Sequence, residues 1–89
     1  MNQIIIVGRI SDIRNEKDDC YIDLVVSRNY KNENGEYEED VLSIKLFNNI
    51  GNTVTEYCKP GDIVGIKGRA ESGNILVAEK VTFLSSKKE

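Results

Sequence analysis

Six of the twelve basic side chains of this 89-residue chain are candidates for contacting a polyanion. The net charge of −3 disfavours indiscriminate binding of phosphates, because such binding draws on positive potential at the contact surface. Much of the acid is concentrated between Glu33 and Asp40. Any nucleic-acid site must therefore be locally basic, and the candidate cations for it are Arg9, Arg28, Lys31, Lys45, Lys67 and Arg69.

Residues suited to catalysis or to metal binding are scarce. The sequence has no histidine, no nucleophile elbow, no phosphate-binding loop and no carboxylate pair that would obviously converge. Cys20 and Cys58 form no CxxC pair, so two reduced thiols are preferred over a zinc site or a disulfide. The acids between Glu36 and Asp40 fit no calcium loop and are better explained as a solvated edge. We expect a binding module without enzymatic activity, cofactor or metal.

The composition indicates one domain in water. Apolar residues make up 39% of the chain and charged residues 30%, which is too apolar for wholesale disorder and too interrupted for a membrane protein. The longest purely apolar run, residues 4–7, is far shorter than a membrane span, and no basic signal segment precedes it. We therefore expect a cytoplasmic protein.

Apolar residues alternate with a period of two between closely spaced turn signals, which predicts a mainly β chain. The first three predicted strands are residues 3–14, 20–27 and 37–47. A polar stretch at 15–19 predicts the first turn, and Asn34-Gly35 predicts a tight reversal of the primed type, because both residues tolerate positive φ.

The third predicted strand has the clearest alternation. Leu42, Ile44 and Leu46 form the face expected in the core, as do Ile22, Leu24 and Val26 of the second strand. The other face carries Val41, Ser43, Lys45 and Phe47. This outer face therefore combines an aromatic ring with a cation.

Between residues 48 and 59 the period becomes helical, through Ile50, Val54, Tyr57 and Cys58. An Asn-rich start suits helix capping, and Lys59-Pro60-Gly61 suits a helix end. Two further strands follow at residues 62–70 and 75–84, separated by a Ser72-Gly73-Asn74 turn. Tyr57 and Phe83 are interpreted as core residues.

The order of three strands, one helix and two strands is that of the OB-fold, an all-β, five-stranded Greek-key barrel with a short helix between strands 3 and 4. Gly65 and Gly68 suit the sharp bends of a small barrel. We expect one domain over residues 1–85, followed by a frayed tail at 86–89.

Five segments, in order, resemble the bacterial single-stranded DNA-binding proteins. They are residues 4–10 (IIIVGRI), 22–30 (IDLVVSRNY), 40–47 (DVLSIKLF), 54–61 (VTEYCKPG) and 77–84 (VAEKVTFL). No single segment is specific, but five in the right order are hard to obtain by chance. The resemblance covers nearly the whole chain.

The resemblance implies an aromatic-lined, basic channel that stacks the bases of an extended strand. Tyr30 and Phe47 fall at positions where the family usually has stacking aromatics. Stacking on such rings gives roughly 1 to 3 kcal/mol per base without selecting sequence. Lys45, two residues before Phe47, could neutralise a neighbouring phosphate, and the other five cations are expected to share faces with the aromatics.

Several residues depart from the family pattern. The chain has no tryptophan, and Val41 stands where the family commonly has an aromatic, so stacking should be weaker. The loop at residues 71–74 is short, and the sequence ends at Glu89 without the linker and acidic tip through which relatives recruit partners. Recruitment by that route is therefore not expected.

The first predicted strand is apolar on both faces over residues 4–7, so something should cover its second face. The resemblance implies pairing of first strands into a homodimer, often doubled to a homotetramer. It also implies roles in DNA replication, recombination or repair. Two alternatives remain open: an OB-fold module that contacts another protein and binds DNA weakly, and an RNA-binding module that uses the same stacking.

Overall fold

A computed structural model describes residues 1–16 and 19–85. The strands are β1 (Ile4–Glu16), β2 (Asp19–Lys31), β3 (Tyr37–Leu46), β4 (Ile63–Glu71) and β5 (Ile75–Ser85), and the helix is α1 (Asn48–Tyr57). The strands form a closed barrel in the order β1-β2-β3-β5-β4. Only the β3–β5 pair of this barrel is parallel. The predicted five-stranded barrel with its helix after strand 3 is confirmed, and the predicted tail lies outside the described residues.

The barrel interior is filled by the predicted alternating residues. Ile22, Leu24, Ile44 and Leu46 are buried as expected. One end of this core is covered by α1, from which Val54 is fully buried while Ile50 and Cys58 pack partly against the same cluster. The spacing of four residues between these three positions is the stripe that an α-helix needs to bury one side.

The strand β1 contains a bulge that the sequence pattern did not predict. The register against β2 shifts between Ile10 and Asp12, so Ile13 lies opposite buried Ile22 and Arg14 lies opposite Tyr21. A bulge adds one residue to a strand and reverses the inward and outward alternation beyond it. Strand pairing continues to Glu16 opposite Asp19, so the chain reverses within the predicted stretch 15–19, but the strands extend further into that stretch than predicted.

Gly68 is required by a close approach of two backbones. A second bulge shifts the β4–β5 register between Lys67 and Gly68. A Cβ atom on Gly68 would overlap the carbonyl oxygen of Val77, whereas one on Gly65 would meet only the side chains of Leu84 at 3.5 Å and Val7 at 3.9 Å. Glycine at position 68 therefore permits the close approach of β4 and β5.

The connection between β2 and β3 differs from the predicted two-residue turn. Gly35 has a φ of 77°, but Asn34 does not have positive φ. The Asn32 side-chain oxygen instead accepts hydrogen bonds from the backbone N–H groups of Asn34 (2.8 Å) and Glu36 (3.0 Å). The loop spans residues 32–36 and is organised by this Asn side chain, which substitutes for a backbone turn contact.

Three predictions about α1 and β5 are wrong. Phe47 is the N-cap and makes no side-chain capping hydrogen bond, because β3 leads directly into α1 and the asparagines lie inside the helix. Tyr57 is 68% exposed, because it lies beside the buried stripe of α1 in its last turn. Phe83 is also exposed near the end of β5, where it lines the grooves beside α1 instead of entering the barrel.

Candidate nucleic-acid interface

The outer surface of β2 and β3 presents six side chains in three cross-strand pairs. Tyr21 lies opposite Lys45, Asp23 opposite Ser43, and Val25 opposite Val41. The alternating residues of both strands point into the core, so these six share the outward side. We call this surface the β2–β3 face.

Phe47 extends the β2–β3 face at one end. The backbone at Phe47 is extended (φ −71°, ψ 162°), and it follows Leu46, which is buried in the barrel. Its ring is 44% exposed. Lys45 lies two residues earlier, and the extended backbone places this ring on the same side of the strand as the ammonium group.

Tyr30 lies at the other end of the β2–β3 ladder, in an arm formed by residues 28–40. Its side chain is 60% exposed. The guanidinium of neighbouring Arg28 is held by Asp40 and Glu38, and its pKa is raised by the hydrogen bond and charge of Asp40 first, with a smaller contribution from Tyr30. Lys31 in the same arm lies 5.7 Å from the centre of the Tyr37 ring.

The two predicted stacking residues are far apart. Phe47 follows Leu46, which pairs with Cys20 at one end of the β2–β3 ladder. Tyr30 precedes Lys31, which pairs with Tyr37 at the other end. Ten residues of β2 separate these ends, which corresponds to roughly 30 Å along a strand. The two rings would therefore stack different bases of one extended polynucleotide.

Two of the predicted arginines are already paired with carboxylates. Arg28 contacts Asp40 at 3.0 Å and Glu38 at 2.9 Å. Arg69 contacts Glu71 at 2.6 Å and Glu79 at 2.8 Å. The pKa of Arg69 is raised by these hydrogen bonds, that with Glu79 contributing most, and the pKa of Asp40 is lowered by its hydrogen bond from Arg28. These pairs reduce the positive potential available to a phosphate.

The remaining predicted cations are divided between two surfaces. Arg9 lies opposite Val25, at the edge of the β2–β3 face. Lys45 approaches Asp19 only loosely, at 3.8 Å. Lys67, in contrast, lies opposite Ile5 on β1 and borders a groove lined by exposed apolar residues. The structure therefore brings Arg9 and Lys45 near the face, and places Lys67 on the outer surface of β1, β4 and β5.

Arg14 and Tyr21 also lie on this surface, although neither is among the candidate residues predicted from the sequence. The Arg14 guanidinium carbon lies 5.3 Å from the centre of the Tyr21 ring, a cation–π arrangement. The unpredicted bulge in β1 turns Arg14 outward, since simple alternation from buried Ile10 would point it inward. For Tyr21 the outward alternation was available, but it does not distinguish a base contact from cross-strand packing.

Comparison with known proteins identifies the family of this barrel. A family profile described as "Single-strand binding protein family" matches residues 1–84. The chain belongs to this family. The family resemblance predicted from the five segments is thus confirmed.

Two curated members of the single-strand binding protein family are similar to this chain over most of its length. Single-stranded DNA-binding protein 1 of Clostridium acetobutylicum is 31% identical over 108 aligned positions, covering 100% of this chain and 98% of the relative. Single-stranded DNA-binding protein B of Bacillus subtilis is 31% identical over 77 positions, covering 80% and 68% respectively. The first relative is therefore a short protein of similar length.

Solved structures support the same fold for this family member. The mitochondrial single-stranded DNA-binding protein Rim1 of Saccharomyces cerevisiae superposes with a TM-score of 0.77 at 22% identity, covering 96% of this chain and 95% of Rim1. A small single-stranded DNA-binding protein of Streptomyces coelicolor gives a TM-score of 0.67 at 14% identity, covering 92% and 91%. At these identities the likeness concerns the barrel itself.

Proposed function

We propose that this chain binds single-stranded DNA with little sequence selection, through base stacking and phosphate contacts along the β2–β3 face and its arm. The observation that carries the proposal is the family match over residues 1–84. The exposed rings of Phe47 and Tyr30 at the two ends of the ladder support it. Such binding protects and organises single strands during replication, recombination or repair.

The proposed contacts divide into stacking and charge. Phe47 and Tyr30 supply π-faces, which accept any base. Lys45 and Arg9 are available for phosphates, whereas Arg28 and Arg69 must exchange a carboxylate for a phosphate before they contribute. Lys31 belongs to the arm beside Tyr37. We therefore expect stacking to contribute more of the affinity than in a strongly basic binder.

A titration with oligo-dT tests this function. Binding should quench tyrosine fluorescence through Tyr30, and the affinity for single strands should exceed that for a duplex of equal length. The logarithm of the binding constant should fall with the logarithm of salt by about 0.7 per phosphate contacted. A binding curve that is absent, or that favours the duplex, would contradict the proposal.

The rival function is an OB-fold module that contacts another protein and binds DNA weakly. The carboxylates that pair with Arg28 and Arg69 favour this rival, since they screen positive charge near the proposed contacts. Millimolar affinity for oligo-dT, together with a specific protein captured by this chain, would favour it over DNA binding. Competition between DNA and RNA oligomers separates the RNA alternative.

We also propose that the chain forms a dimer or tetramer through the outer surface of β1. Ile5 and Val7 are 73% and 53% exposed there, and Leu84 of β5 borders the same groove. We call this surface the β1 face. A contiguous exposed apolar surface of this kind marks an interaction site. A second copy placed against the β1 face would bury these apolar side chains, which are exposed to water in the single chain.

We also propose that the chain is cytoplasmic and has no catalytic activity. Cys20 and Cys58 are both free thiols, as expected for a reducing compartment. Among the described residues, no helix is long and apolar enough to cross a membrane. In the same part of the chain, no three His, Cys, Asp or Glu side chains are grouped so as to hold a metal ion.

A further inference from the structure

A hydrogen-bonded network fixes the side chain of Asp23 in the middle of the β2–β3 face. Its Oδ1 atom accepts a hydrogen bond from Nη2 of Arg14 at 3.0 Å and another from the hydroxyl of Ser43 at 2.6 Å. Nη2 of Arg14 also donates to the Ser43 oxygen at 2.6 Å, and Nη1 donates to Glu16 at 2.7 Å. Groups on β1 and β3 therefore hold one carboxylate oxygen of this β2 residue in a defined position.

The second oxygen of Asp23, Oδ2, makes no hydrogen bond to any of the described residues. The side chain is 20% exposed, so it is not sealed beneath its neighbours. The pKa of Asp23 is lowered, mainly by the hydrogen bond from Ser43 and further by Arg14. At neutral pH this group is an ionised carboxylate, which can accept hydrogen bonds but cannot donate them.

The position of Asp23 suits contact with the edge of a base. Along β2, Tyr21 and Val25 lie two residues to either side on the same face, at a spacing of roughly 7 Å. Opposite them, Lys45 and Val41 occupy the corresponding places on β3. A base packed flat against either row would therefore have its polar edge within reach of the free Oδ2 atom.

We propose that Asp23 is a base-reading residue, whose free carboxylate oxygen accepts a hydrogen bond from the exocyclic amino group of a bound base. This inference rests on the proposed binding of single-stranded DNA. Cytosine carries an amino group at N4, whereas thymine carries the O4 acceptor, which a carboxylate repels. Binding is then tolerant of sequence at the stacking positions and favours cytosine over thymine at this one.

Because Asp23 is negatively charged, it should weaken DNA binding unless it also makes a favourable contact with the DNA. A carboxylate on a surface that binds a polyanion repels phosphates, which lowers affinity for every sequence. The Arg14 side chain offsets part of this repulsion, and Lys45 adds a cation one pair along the ladder. A hydrogen bond from an amino group compensates the remaining repulsion only for bases that carry this group, and binding at this position is therefore selective.

The test compares pyrimidine oligomers of equal length at pH 8 with the full chain and its Asp23→Asn variant. Asparagine keeps the shape and an oxygen for Arg14 and Ser43, but presents an amide donor in place of Oδ2. The ratio of oligo-dC affinity to oligo-dT affinity should fall by about tenfold in the variant, the size expected for one charge-assisted hydrogen bond. The same ratio in both proteins would overturn the inference.

Two controls separate base reading from simpler effects. Asp12→Asn removes one negative charge from the cross-strand neighbour of Asp23, so it should strengthen binding of both oligomers and leave their ratio unchanged. With the unaltered chain, N4,N4-dimethylcytosine keeps the stacking surface but removes the amino donors, and it should bind more weakly than cytosine. Equal binding of these two oligomers would overturn the inference even if D23N fails to fold. Failure of all oligomers to bind would instead refute the proposed function.

Discussion

Replacing Phe47 with alanine should weaken binding of oligo-dT by about 1 to 3 kcal/mol, or about 5- to 150-fold, which is the contribution of one stacked base. The ring is exposed at the end of β3 and caps α1 only through its backbone, so the substitution removes little packing. Fluorescence anisotropy of a labelled oligomer measures the loss, and thermal unfolding should show a nearly unchanged midpoint.

Two companion variants sharpen this result. Tyr57→Ala removes an aromatic ring that is more exposed than that of Phe47 but lies at the far end of α1, so the affinity of this variant should remain that of the unaltered chain. Tyr30→Ala should cost a similar amount to Phe47→Ala, and the two losses should add within about 0.5 kcal/mol, because distant sites act independently. Unchanged affinity in both Phe47→Ala and Tyr30→Ala would mean that DNA binds elsewhere.

Replacing Val7 with lysine should convert the proposed oligomer into a monomer, as measured by light scattering at micromolar concentration. Val7 is an exposed apolar residue of the β1 face, and the new ammonium group would be buried against a second copy without a partner, which costs several kcal/mol. Lys67 and Lys80 already border this groove and would repel the added charge.

The matched control for this change lies on the β2–β3 face instead of the β1 face. Val41 is exposed to a similar extent on the β2–β3 face, so Val41→Lys should leave the molecular mass of the assembly unchanged. Its DNA affinity should not fall, since the added cation faces the proposed path of the phosphates. An unaltered chain that is already monomeric at micromolar concentration would refute the oligomer.

The barrel could be predicted from local pattern alone. Leu42, Ile44 and Leu46 alternate cleanly, and each is at least partly buried in the structure. The period changes only once, at the segment that forms α1. Because strands and helices bury different spacings of residues, the element order follows from where the apolar residues recur, and that order is the OB-fold.

The contacts of the charged residues could not be predicted in this way. The ion pairs between Arg28 and its two acids depend on the register of the arm, which is set by a bulge in β2 and a five-residue loop. The outward position of Arg14 depends on the bulge at Ser11, which has no sequence signature here. Register and bulges are tertiary choices, so alternation identifies Lys45 and Phe47 but not the acids that surround the cations.

Exposed aromatics were the other difficulty. Tyr57 and Phe83 have the residue types and spacing of core positions, yet both contact solvent in the single chain. Helical spacing alone cannot distinguish the buried stripe from its flank when the helix covers only one end of a barrel. An apolar residue type therefore predicts that the side chain is buried, but not whether it is buried in the core of its own chain or against a partner.

Photocross-linking tests most directly whether DNA lies along the β2–β3 face. An oligo-dT containing 5-bromodeoxyuridine is bound to the chain, irradiated and digested, and the attached peptides are identified by mass spectrometry. Cross-links are expected at Phe47 and Tyr30, and at Tyr21 between them. Cross-links confined to Tyr57 and Phe83, with none on β2 or β3, would contradict this location of the DNA.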